Sequence, residues 1–162
     1  MKKNYRKRTS RPRSDLRWVI RIRREKRLVQ KVSPAAVRRA IRRTLEQQSY
    51  GEVCSISVLL AGDETLGSLN ERYRGIVRPT DVLAFDSQCI DPETGIVHLG
   101  EIAISLPRAA AQARSRRAPL EREVQLLAIH GTLHLLGQDH NTPIRKKRMW
   151  QAQRKILKEL LS

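Results

Sequence analysis

The segment from Pro119 to His140 limits what this chain can fold into more tightly than any other. Pro119 opens a run in which Leu120, Val124, Leu127, Ile129, Leu133 and Leu136 recur at helical spacing, which reads as one long apolar helix. His130 and His134 stand within it, four residues apart. One helical turn separates them, so both imidazoles leave the same face and can grip one ion. Gly137 is placed to end the helix in a left-handed conformation, and Gln138-Asp139 leads the chain back to His140. Three of the four histidines in the chain fall in this short stretch. Three neutral ring nitrogens fill three tetrahedral positions and leave the fourth open, the pattern of a catalytic rather than a closed structural metal site. Zn2+ suits such a donor set best, and nickel, copper and iron also accept imidazole. Asp139 is a candidate to orient a ligand ring; the alternative is a turn residue bonding its own backbone. His98 has no partner in sequence and reads as an ordinary residue.

Around this helix the signals alternate between strand and helix. Leu16, Trp18, Ile20 and Ile22 keep a period of two, which predicts a half-buried strand. Ser33-Pro34 opens a helix to about Gln48, with Val37, Ile41 and Leu45 on one face and Arg38, Arg39, Arg42 and Arg43 elsewhere. Val53 to Ala61 is apolar and rich in β-branched residues, as a central strand would be. Asp63 can cap a short helix carrying Leu66, Leu69 and Tyr73. Thr80–Ser87 and Gly100–Leu106 read as strands flanking a turn at Asp91–Gly95, and Pro107–Arg117 as a helix. Thr142-Pro143 starts a last helix with Ile144, Trp150, Leu157 and Leu160 as its apolar face. The expected fold is one α+β domain over residues 15–162, a small mixed sheet covered by helices, with the metal site on a long helix and the following turn. Residues 1–14 read as a flexible basic arm.

Charge is distributed unevenly. Of the net +17, nearly all sits in residues 1–48, where 18 Lys or Arg face only Asp15, Glu25 and Glu46. Such asymmetry points to a polyanion such as RNA, because neutralising phosphates releases condensed counterions. Arg38, Arg39, Arg42 and Arg43 are the candidate nucleic-acid-binding residues, and a solvated helix face is the plain alternative. Cys54 and Cys89 form no disulfide framework and have no metal-ligand spacing; Cys54 reads as a small buried residue. No apolar run is long enough to span a membrane, and Met1 to Arg6 has no apolar stretch behind it, so a cytoplasmic location is expected.

The spacing His-x-x-x-His-x-x-Gly-x-x-His matches that of the metzincin peptidases, which carry a glutamate as general base directly after the first histidine. Gly131 stands there instead, which makes a metalloprotease the second choice. With that glycine, the string from His130 to His140 resembles the YbeY family of endoribonucleases. Leu69-Asn70-Glu71-Arg72-Tyr73-Arg74, Pro79-Thr80-Asp81-Val82-Leu83-Ala84-Phe85 and Leu99-Gly100-Glu101-Ile102 are similar to further family segments. The departures are Gln138 for a tyrosine, Ala84 for a serine, Asp86 for a proline and Glu101 for an aspartate. The resemblance implies a zinc-dependent, single-strand-specific endoribonuclease acting in small-subunit ribosomal RNA maturation and ribosome quality control. It also implies a substrate-facing role for Arg74, whose guanidinium can hold a phosphate bidentately. A non-catalytic ribosome-assembly factor is the other alternative.

Overall fold

The computed structural model describes residues 17–162. The basic arm expected over residues 1–14, and Leu16 of the expected first strand, lie outside the described residues.

Four strands form one mixed sheet in the order β1-β2-β4-β3. β1 (Trp18–Arg24), β2 (Cys54–Ala61) and β4 (Val97–Ser105) run parallel, and β3 (Val82–Ile90) pairs antiparallel with β4 at one edge. Parallel neighbours need a crossover, and α1 (Pro34–Gln47) supplies it between β1 and β2. α2 (Asp63–Arg74), α3 (Leu106–Ser115), α4 (Leu120–Leu135) and α5 (Pro143–Leu161) complete the domain, an α+β fold with its sheet and helices in the expected arrangement.

The period of two sorts each strand between the two faces. Ile20, Ile56, Val58, Ile102 and Ile104 pack under α1, α4 and α5 in the main core. A smaller cluster, Ala61, Leu66, Leu83 and Ala103, lies on the other face beneath α2. α4 is buried nearly all round its circumference, which marks it as the central helix rather than a surface one.

Local signals set the boundaries. Ser33, Ser105 and Thr142 each cap the helix that follows, accepting from the backbone N–H of Ala36, Arg108 and Arg145. The expected cap at Asp63 is corrected: Gly62 holds that position without a side-chain bond. The Asp63 carboxylate instead accepts from Ser105 Oγ at 2.6 Å, drawn to the start of α3, while remaining in the first turn where a negative charge suits the helix dipole. The face expected for α5 is corrected in part: Leu157 and Leu160 pack against the core as expected. Ile144 and Trp150 are 68% and 56% exposed, whereas Met149, Gln153 and Ile156 are the buried residues. Trp150 faces outward with the Lys146 ammonium 5.0 Å from its ring centroid. Cys54 is buried and Cys89 exposed, and both are free thiols. Among the described residues, no helix is long and apolar enough to cross a membrane.

Candidate metal centre

α4 ends where the histidines need it to. Gly137 adopts φ 85°, its N–H bonds the His134 carbonyl at 2.9 Å, and the Gln138 N–H bonds the Leu133 carbonyl at 3.0 Å. This pair of bonds is the Schellman arrangement, which turns the chain sharply at a left-handed residue. The turn carries His140 back beside the helix. One nitrogen from each of His130, His134 and His140 then lies within 4.8 Å of the other two.

The two helical rings aim at a common point. Nε2 of His130 and Nε2 of His134 are 3.0 Å apart. A tetrahedral ion about 2.0–2.1 Å from each ligand nitrogen separates those nitrogens by about 3.3 Å, so the observed spacing fits. Burial first, then the neighbouring His134 and His140, push the His130 pKa down from 6.5 to about 4. Burial also lowers the pKa of His134, helped by the charges of His140 and Arg74. Low pKa values keep the rings neutral, the form that a cation requires.

The ring contacts differ in part from expectation. The side-chain amide of Gln153 on α5 stands 2.8 Å from His130 Nδ1, and the backbone of Gln138 hydrogen-bonds the His134 ring. Asp139 forms a turn instead: Oδ1 accepts from the Asn141 N–H at 3.1 Å and Oδ2 pairs with Arg145 at 2.8 Å. Its charge still reaches His134, and that of Asp81 reaches His130. Asp81 is anchored by the Val82 N–H at 2.8 Å and by Gln112 at 3.0 Å. Gln153 and Asp81 had no role assigned from sequence.

Arg74 is the exposed last residue of α2, brought close enough for its charge to act on His134. The four arginines of α1 are not gathered at the site. Arg38 donates to the Ile20 carbonyl of β1, Arg43 pairs with Glu46 and with Glu159 of α5, Arg39 is exposed, and Arg42 is half-buried. His98, by contrast, does find a partner, with Nδ1 2.9 Å from Ser55 Oγ on the neighbouring strand.

Gly131 explains why the peptidase pattern fails here. A Cβ at that position would meet Cγ2 of Ile102 at 2.8 Å and two more atoms of the same side chain at 3.2 Å. The position faces the sheet and not the imidazoles, so α4 packs too closely on β4 for a glutamate there.

Comparison with known proteins agrees with this geometry. The model of the family described as "Endoribonuclease YbeY" matches residues 20–161. A protein of that name from a Synechococcus strain is 42% identical over 119 residues, covering 70% of this chain and 73% of its own. One from Pelotomaculum thermopropionicum is 38% identical over 125 residues, covering 75% and 82%. A solution structure from Thermotoga maritima superposes with a TM-score of 0.59 at 28% identity, covering 88% of this chain and 89% of that one. The chain therefore belongs to the YbeY endoribonuclease family.

Proposed function

We propose that this protein is a zinc-dependent, single-strand-specific endoribonuclease that acts in small-subunit ribosomal RNA maturation and ribosome quality control. The observation that carries the reading is the convergence of His130, His134 and His140 beside Arg74, in a chain of an endoribonuclease family. Zinc is preferred among the imidazole-binding metals because the donor set is three imidazole nitrogens within 4.8 Å of one another. A bound divalent ion would supply Lewis acidity toward a phosphate oxygen and acidify water.

The remaining chemistry falls to the chain itself. His130 and His134 present Nε2 lone pairs, provided that Nδ1 carries the proton on each ring. On His130 this requires the Gln153 amide to turn so that Oε1, in place of the Nε2 that stands 2.8 Å from Nδ1, accepts that proton, and the Gln138 backbone hydrogen-bonds the His134 ring. Arg74, exposed at the end of α2, presents a planar fork suited to phosphate. It would hold the scissile phosphate and offset charge as the phosphorus becomes five-coordinate. The closed face at Gly131 argues against peptide hydrolysis by the metzincin route.

The test is incubation of metal-quantified protein with single-stranded and structured RNA beside His134→Ala. The wild type should hold about one ion per chain and cut the single strand, and the variant should lose both ion and cleavage. Undiminished cutting by His134→Ala would overturn the reading, and metal binding with no cleavage would favour an assembly factor. Ribosomal RNA as the target is checked by the 16S-type precursor ends in cells lacking the protein.

A further inference from the structure

The face of the sheet turned away from α4 is only partly covered by α2, and a cavity of about 450 Å3 opens beside that helix. This is the size of a small-ligand pocket. Strand register arranges its floor. Arg21, Ser57, Glu101 and Phe85 lie side by side across the four strands, with Arg23 two residues further along β1. Adjacent strands are about 4.8 Å apart, so at the Cα level Glu101 has Phe85 about 5 Å away and Arg21 about 10 Å away on the other side. Tyr73 of α2 closes the wall, its ring centroid 4.9 Å from that of Phe85 and tilted 50°.

Glu101 is unusual where it stands. It is an exposed carboxylate in the middle of a strand flanked on both sides, and no ion pair among the described residues involves it, Arg21 or Arg23. An aromatic wall, a central acceptor and two cations at the far end match one kind of ligand. We propose that this cavity binds a guanine nucleotide, with the base against Tyr73 and Phe85 and the phosphate on Arg21 and Arg23. The carboxylate selects the base. Guanine alone presents two adjacent donors, N1–H and the exocyclic N2 amino group, to the two oxygens of a carboxylate. Adenine and cytosine place a ring acceptor beside their amino group, and uracil flanks its single N–H with carbonyls, so each would set an acceptor against Glu101.

The same chemistry serves a free mononucleotide or a guanosine within an RNA strand, and the cavity stands on sheet residues that the metal centre does not use. The test therefore uses full-length protein carrying His134→Ala, in chelator, so that neither metal nor cleavage contributes. GMP, AMP, CMP and UMP, and pentaribonucleotides carrying one G or none, are titrated by calorimetry. Guanine should be preferred at least about tenfold, as for other paired base contacts. Glu101→Gln should abolish the preference, and Arg23→Ala should weaken every ligand, both with unchanged melting temperature. Preference seen with GMP identifies a free nucleotide; preference seen only with the G-containing oligomer identifies an RNA segment. Equal affinity for all bases, a preference that survives Glu101→Gln, or no binding in either arm at millimolar ligand overturns the proposal.

Discussion

The side-chain amide of Gln153 stands 2.8 Å from Nδ1 of His130, joining α5 to α4 across 23 residues of sequence. Gln153 is only 8% exposed, and it occupies the buried face of α5 between Met149 and Ile156. A buried polar side chain requires a partner, and here the partner is a candidate ligand ring. Such contacts fix the orientation and tautomer of a metal-binding histidine, and their loss costs about 10–100-fold in metal affinity. Gln153→Leu is expected to weaken zinc by that amount, whereas Gln153→Glu retains an acceptor and affinity near wild type. A competition titration against a chromogenic chelator measures both. Equal affinity in all three proteins would leave Gln153 as a core residue only.

Acid should unlock the metal-free fold through the same ring. In an unfolded chain His130 takes up a proton near pH 6.5, but in the folded protein burial delays this to about 4. Between those values the unfolded state binds more protons, so stability rises with pH across the window. The contribution is complete above about 6.5 and is lost as pH falls toward about 4, amounting to at most roughly 3 kcal/mol. Urea midpoints of chelator-treated protein at pH 7.5 and 4.5 check it. His130→Asn should show a smaller fall than wild type, and an equal fall in both would remove His130 as its source.

How much of this was readable in sequence depends on whether the signal was local. The histidines were legible because helical period and a terminating glycine place three candidate ligands within one short segment, and Gly137 takes the left-handed conformation expected of it. The order of strands and helices was legible for the same reason. The inner face of α5 was not. Of its expected apolar residues Leu157 and Leu160 do pack on the core, but Ile144 and Trp150 point outward and Gln153 inward, because the burial of a glutamine depends on a histidine in another helix. Asp63 misled likewise: its carboxylate serves Ser105, 42 residues away. Strands β3 and β4 extend the expected hairpin to Ile90 and back to Val97, since edge pairing and not composition sets their ends.

Gly100 should be the least replaceable residue of the sheet. It has φ 149°, and a Cβ there would meet the Phe85 carbonyl oxygen at 2.1 Å and Leu135 Cδ2 at 2.8 Å. It also sits where the pairing of β2 with β4 shifts register, between Ser55 and Ile56. Backbone cannot yield as a flexible side chain does, so Gly100→Ala forces strand β4 away from β3 or from α4. A loss of about 3 kcal/mol or more is expected from the combined strain and overpacking. Chemical denaturation measures it, with Gly51→Ala, which meets nothing within 4 Å, as the neutral control.

Arg74 separates holding the metal from using it. It ends α2 just before Gly75, whose φ of 65° turns the chain away, and its charge reaches His134. If it clamps the phosphate, its removal should leave the ion bound, since it donates no ligand. Arg74→Ala should lower the cleavage rate by about 10²–10³, the usual cost of deleting one charge-stabilising donor. Arg74→Lys keeps the charge but not the planar fork, so it should recover only part of the rate. Because a nearby cation favours neutral imidazole, Arg74→Ala should also raise the His134 pKa slightly in metal-free protein, seen in the ring proton shifts by NMR. Rate loss with full metal content assigns Arg74 to the phosphate. Parallel loss of metal and rate would place its role in shaping the histidine site instead.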